Sequence, residues 1–120
     1  MSERKGAILR QSFEFAVRVV NLYKYLVSEK KEFVLSKQLL RSGTAVGALV
    51  REAQNAESKA DFIHKLGIAQ KECDESIYWL ELLVETQFLK QEEFESIKSD
   101  AEALLKMIRS AIITTKNKNS

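Results

Sequence analysis

Asp61 and His64 stand one helical turn apart, and a carboxylate above an imidazole is half of a familiar metal motif. Di-iron bundles use Glu-x-x-His on two helices and take further glutamates from two more. His64 is the only histidine in the chain, so the second motif cannot be built. Cys73 is the only cysteine. A thiol nucleophile needs a neighbouring base to deliver its thiolate, and no second histidine is there to supply one. Glu72, Asp74, Glu75, Glu81 and Glu85 are dense in sequence, but their spacing distributes them around a helix rather than onto one point. They read as a solvated face or a partner contact. No glycine-rich phosphate loop is present, because Gly43 and Gly47 lie inside a helical pattern. The expectation is therefore no catalytic residue, no metal, no cofactor and no small-molecule substrate.

The elements that position these residues follow from apolar spacing. The 120 residues contain no proline, and long stretches repeat apolar side chains every three to four positions. Four helices are expected, over residues 8–28, 36–54, 58–86 and 91–115 of a single domain spanning 1–120. Short connections between long helices make neighbours antiparallel. The fold class is all-α, an antiparallel up-down-up-down four-helix bundle.

The first helix carries two apolar stripes. One is Phe13, Ala16, Val17, Val20, Tyr23 and Val27; the other is Phe15, Val19, Leu22 and Leu26. That is wider than one bundle face needs. Either part of it faces another subunit, or the helix is buried on two sides within its own bundle. Ser36 is the expected N-cap of the second helix. Ser58-Lys59-Ala60-Asp61 has the form of a capping box before Phe62 and Ile63. Leu66, Ala69, Cys73, Ser76, Leu80 and Leu83 then follow at core spacing. Tyr78 and Trp79 are adjacent and point apart, which leaves one of them available to an interface.

Glycine inside a helix costs about 1 kcal/mol against alanine, so Gly43, Gly47 and Gly67 need a reason. Counting outward from the turn near Asn55–Ser58 places Gly47 opposite Gly67. A close approach of the second and third helices through these small residues is expected.

Net charge is +2, too small to argue for nucleic acid by itself. The distribution is uneven. Residues 1–71 hold 13 basic and 7 acidic side chains, whereas residues 72–102 hold 2 basic and 10 acidic. In the expected topology the acidic block surrounds the last connection. Arg4, Lys5, Arg10, Arg51, Lys59, Lys65, Lys116 and Lys118 gather at the opposite end. An acidic and a basic pole are expected. Arg10, Arg51, Lys59, Lys65, Lys116 and Lys118 are the candidate nucleic-acid-binding residues. No apolar run approaches the ~18 residues of a membrane span, no signal-type core follows Met1, and a lone cysteine suits a reducing compartment. A cytoplasmic protein with no membrane contact is expected.

Several stretches together resemble a known family. They are Gln38-Leu39-Leu40-Arg41, Ala48 to Ala53, Ser58 to Ile63, Ile68-Ala69, Glu72, Glu75, and Trp79-Leu80-Glu81-Leu82-Leu83. The chain from about Phe13 to Ile112 resembles the bacterial four-helix-bundle proteins named after 23S rRNA intervening sequences, sometimes labelled ribosomal. A related branch serves as the accessory protein of diversity-generating retroelements. The resemblance implies an up-down-up-down bundle and a ring-shaped homo-oligomer, commonly a pentamer. It implies a protein or nucleic-acid (RNA or DNA) partner rather than an enzymatic reaction. Many relatives carry Ser-Ile-x-x-Asn-Ile-x-Glu in the second helix. Here Ala45 and Leu49 stand at the serine and asparagine positions, so any polar role there is absent. Arg41 and Glu52 match the family, and each is expected in an ion pair or cap that fixes bundle or subunit contacts.

Overall fold

The computed structural model describes residues 3–118, with side chains from Gly6 onward. Four helices follow one another: α1 (Glu3–Ser28), α2 (Leu35–Gln54), α3 (Lys59–Glu85) and α4 (Gln91–Asn117). They form a rod of 50 × 22 × 20 Å. Contacts between helices fix their directions. On α1 and α2, Val19 lies against Gly43 and Ser12 against Gly47. On α2 and α3, Ser42 meets Ser76 and Glu52 meets Lys65. On α3 and α4, Cys73 meets Ala101 and Glu81 meets Lys98. In each pair one number rises as the other falls, so every neighbour is antiparallel. Arg18 of α1 closes the bundle against α4, bonding Asp100 at 2.8 Å and Ser96 at 2.8 Å.

The core is made of one inward ridge per helix. On α3 it is Leu66, Ala69, Cys73, Ser76, Leu80 and Leu83, as the spacing predicts. On α4 it is Phe94, Ile97, Ala101, Leu104, Leu105 and Ile108. On α1 the structure chooses the second of the two stripes. Phe15, Val19, Leu22 and Leu26 are buried, together with Ile8 and Ser12. Of the other stripe, Phe13 and Val17 are exposed, and Ala16, Val20, Tyr23 and Val27 are half-buried. Two buried hydroxyls, Ser42 and Ser76, share a hydrogen bond of 2.9 Å. Each also reaches a carbonyl of its own helix, Leu39 and Glu72 respectively, so neither is a buried orphan.

The helix ends show where local chemistry held and where it was misassigned. Ser58 caps α3, its hydroxyl accepting the Asp61 N–H at 3.0 Å, and the Asp61 carboxylate accepts the Glu57 N–H at 3.2 Å. Ser36 is not the cap of α2. The helix begins one residue earlier, and Ser36 is buried in its first turn. Its hydroxyl donates back to the Glu32 carbonyl at 2.7 Å. The cap is the Glu32 carboxylate, which accepts the N–H groups of Val34, Leu35 and Ser36 at 3.1, 2.9 and 2.6 Å. At the end of α3, Gln87 takes a left-handed conformation (φ 70). Phe88 N–H then bonds Leu83 O and Gln87 N–H bonds Val84 O, which is the Schellman closure.

Candidate functional site

The residues with reactive groups do not converge. His64 is exposed on α3, and its neighbour Asp61 is engaged in the helix cap. Among the described residues no three His, Cys, Asp or Glu side chains are grouped to hold a metal ion. Cys73 is 0% exposed and donates to the Ala101 carbonyl at 3.3 Å. Burial, with the Asp74 charge adding to it, pushes the thiol up to about 12, so it stays protonated at neutral pH. The carboxylates of α3 point to different neighbours. Glu75 accepts the Trp79 indole N–H at 2.9 Å, Glu81 lies 3.9 Å from Lys98, and Asp74 and Glu85 are exposed.

The three glycines divide differently from the sequence expectation. Gly43 and Gly47 do sit at a close helix approach, but the facing helix is α1. A Cβ on Gly43 would stand 2.8 Å from both γ carbons of Val19, and one on Gly47 would stand 3.1 Å from the Ser12 carbonyl oxygen. Gly67 has nothing within 4 Å of its missing Cβ, so it makes no close contact with Gly47. The α2–α3 pairing set by Ser42–Ser76 and Glu52–Lys65 is shifted about one turn from the symmetric count.

That approach opens a concave feature between α1 and α2. A shallow groove of about 430 Å³ runs between them, lined by Leu9, Phe13 and Ala16 on one side and by Thr44, Gly47, Ala48, Arg51, Glu52 and Asn55 on the other, with Glu52 as its acidic side chain. The displaced α1 stripe forms its wall. Phe13 is 57% exposed and Val17 is 44% exposed. Arg10, Phe13, Val17, Val20 and Lys24 continue at three- and four-residue spacing as one outward ridge of α1. The parallel ridge of α2 runs through Lys37, Thr44, Ala48 and Arg51. Arg10, Lys24, Lys37 and Arg51 are all exposed, and none makes an ion pair among the described residues. This face is apolar and cationic at once.

The opposite side of the bundle has the opposite sign. The outward ridge of α3 reads Asp74, Tyr78, Glu81 and Glu85, with Tyr78 53% exposed. On α4, Glu92, Glu95 and Glu102 recur at the same spacing. The charge division therefore runs across the rod as well as along it. Arg10, Arg51, Lys59, Lys65, Lys116 and Lys118 share one end, while the α1–α2 connection brings Lys30, Lys31 and Lys37 to the end that holds Glu85 and Glu92.

The candidate nucleic-acid residues share an end but not a face. Arg10 and Arg51 share the α1/α2 face. Lys59 is half-buried at the start of α3, and Lys65 is tied to Glu52 at 3.2 Å. Lys116 and Lys118 are exposed at the end of α4. The side chains of Arg4 and Lys5 lie outside the described residues. Arg41 is exposed and makes no ion pair among the described residues, whereas Glu52 finds its partner in Lys65. Sequence reasoning missed Phe33 and Val34, which are 57% and 69% exposed on the α1–α2 connection. An apolar pair outside any periodic run, next to Lys30 and Lys31, was the available signal.

The four antiparallel helices define the class: an all-α four-helix-bundle protein. No helix is long and apolar enough to cross a membrane among the described residues. The comparisons agree with that class and narrow it. The chain belongs to the family of 23S rRNA-intervening sequence proteins, which matches residues 4–110. It is also similar to a protein of unknown function from the S23 ribosomal protein family of Bacteroides thetaiotaomicron VPI-5482, solved by crystallography. The two are 54% identical, the match covers 92% of this chain and 99% of that one, and the TM-score is 0.92. No curated protein matches the chain significantly. Neither description names an enzymatic activity.

Proposed function

We propose that this protein is a non-catalytic, cytoplasmic scaffold that assembles from several copies of itself and presents repeated surfaces to a partner. The observation that carries this reading is the α1 stripe left outside the core. Phe13 and Val17 are exposed beside a groove opened by Gly47, on a face that its own bundle does not cover. An aromatic and aliphatic ridge next to small residues suits close packing of another helix. The family resemblance favours a ring of five. The Phe33–Val34 knob lies on a connection rather than on the helix face, so assembly through that face leaves it free for a protein partner.

Light scattering coupled to size-exclusion chromatography tests this. The expected mass is a multiple of 13.7 kDa, about five chains, with a protein-like 260/280 nm absorbance ratio. A monomer at concentrations well above micromolar overturns the reading.

A second reading is that of a nucleic-acid-binding accessory protein. It rests on Arg10 and Arg51, exposed and unpaired on one face, and on the ribosomal label of the crystallised relative. Repetition around a ring multiplies weak phosphate contacts. Its expected result is binding of labelled RNA or DNA at low salt. Affinity should fall by about 10³-fold or more between 50 and 200 mM salt if several phosphates are neutralised. Alanine at Arg10 and Arg51 should lower both the affinity and the salt slope. Absence of binding at low salt removes this reading and leaves the scaffold.

A further inference from the structure

We infer that the end of the rod where the α1–α2 and α3–α4 connections meet docks a short acidic and apolar peptide segment of a partner protein. A carboxylate of that segment sits between Lys30 and Lys90, and its apolar side chains cover Val84, Phe88 and the Phe33–Val34 knob. The inference rests on the scaffold reading only in taking a partner to exist, and it holds for one copy as for many.

The two connections enclose a shallow cup of about 280 Å³. Val84, Phe88 and Leu89 give it apolar surface, Lys30 reaches it from the first connection and Lys90 from the second. Among the described residues no carboxylate lines it, so its charged side chains are both cationic. Both lysines are exposed, and neither makes an ion pair among the described residues. The Gln91 amide is engaged by Glu95 at 3.0 Å, which leaves the exposed Gln87 amide to meet a peptide group. Three residues beyond Lys30, Phe33 and Val34 are 57% and 69% exposed. The Glu32 carboxylate holds that turn by accepting the N–H groups of Val34, Leu35 and Ser36. An apolar pair already fixed in place loses little conformational freedom when a partner covers it.

Size and charge choose the occupant. The cup is smaller than the roughly 300–1,000 Å³ of small-molecule sites and suits a single side chain. Its positive charge is local, because Glu85 and Glu92 are exposed at the same end but outside the cup. A nucleic-acid backbone or an anionic membrane would bring a line or a sheet of negative charge onto those two carboxylates as well, and like charges juxtaposed at an interface are disfavoured. A peptide can place one carboxylate between the lysines and keep its neighbours apolar. An extended segment advances about 3.3 Å per residue, so a few residues carry it from the cup across Lys30 to Phe33 and Val34.

Selection of phage-displayed random heptapeptides on the unaltered protein tests this. The expected consensus sets an aspartate or glutamate beside aromatic or aliphatic residues. A labelled synthetic peptide of that consensus should bind about tenfold more weakly to the double variant Lys30→Gln, Lys90→Gln. Phe33→Ser should weaken it by about tenfold or more, as for an aromatic anchor. All three positions are exposed, so circular dichroism and thermal melting should show unchanged folding. Light scattering separates this inference from the assembly reading. The variants should keep the mass of the unaltered protein, because the cup and the α1/α2 groove share no lining residue. A monomeric protein that still selects acidic and apolar peptides removes the assembly reading and supports this one. Variants that lose the unaltered mass assign this end to contact between copies and overturn the inference. No enrichment, a basic consensus, or binding untouched by all three substitutions overturns it as well. Phe33-dependent binding of labelled RNA or of phosphatidylserine vesicles, in place of peptide, assigns the end to another class of partner and also overturns it.

Discussion

Replacing Gly43 by alanine will destabilise the bundle by about 2 kcal/mol, although alanine is the better helix former by about 1 kcal/mol. The new Cβ would lie 2.8 Å from both γ carbons of Val19 and 3.1 Å from its Cβ. Val19 is 0% exposed, and a β-branched side chain has few rotamers into which it can retreat. The clash must be relieved by moving α1 away from α2, which loosens contacts along both helices. Overpacking of this kind costs about 1–3 kcal/mol, and here its upper end outweighs the propensity gain.

A second substitution turns that estimate into a test of the contact itself. Val19→Ala alone removes two buried methyl groups and costs about 2 kcal/mol. Combined with Gly43→Ala, the added methyl enters the space that was vacated, so the double variant should lose less than either single change. The coupling energy should reach about 2 kcal/mol, within the range found for residues in direct contact. Gly67→Ala is the control. It meets nothing within 4 Å and should raise stability by up to about 1 kcal/mol. Urea midpoints at one fixed protein concentration measure all four, since assembly adds to apparent stability. A stabilised Gly43→Ala, or strict additivity with Val19→Ala, would mean that the helices do not approach as closely as described.

The same two residues show what could be read from the sequence. Period alone placed the inward ridge of α3, where Leu66, Ala69, Cys73, Ser76, Leu80 and Leu83 follow core spacing. On α1 it could not choose, because Phe13-Val17-Val20 and Phe15-Val19-Leu22 have the same period and similar hydropathy. The choice is made by α2. Gly43 and Gly47 face α1 and admit Val19 and the Ser12 backbone, which turns the first stripe outward. The glycines signalled a close approach correctly but not its partner, since a helix presents small residues to whichever neighbour lies on that side. Counting from the α2–α3 turn assumed a symmetric connection, and Ser42–Ser76 shows a register displaced from it. The charge blocks and their lengthwise division were visible, but their sideways division was not. An up-down-up-down chain puts its first two helices on one flank and its last two on the other. Blocks that divide near residue 71 therefore separate sideways, and the lysines of the α1–α2 connection dilute the acidic end.

Glu32 is the least legible of the important residues, and its removal should be as costly as the Gly43 clash. It precedes the helix that it caps and sits outside the usual N-cap position, where shorter side chains prevail. Its carboxylate is nonetheless the common acceptor for Val34, Leu35 and Ser36, and Ser36 locks the turn from the other side. Glu32→Ala leaves those N–H groups uncapped at a helix start, where the dipole also favours a negative charge, and should cost about 2 kcal/mol. The pH dependence identifies the cause. Burial alone raises the carboxyl pKa, but the hydrogen bonds from Leu35, Ser36 and Val34 outweigh it and hold the group below its ordinary value. A carboxyl lowered in the folded state stabilises the fold above its unfolded pKa of about 4.3, and that contribution fades as the pH falls through the folded value. Glu32→Gln keeps the shape and removes the charge. Its deficit against the unaltered protein should be full at neutral pH and should close as the pH falls through the lowered folded value of the carboxyl. The Phe33–Val34 knob is mounted on this cap, so the substitution should also speed amide exchange at Val34 to Ser36 without loosening α3 or α4. A deficit for Glu32→Gln that does not shrink as the solution is acidified below the unfolded carboxyl pKa would assign the loss to packing, and the knob would then owe its position to Ser36 alone.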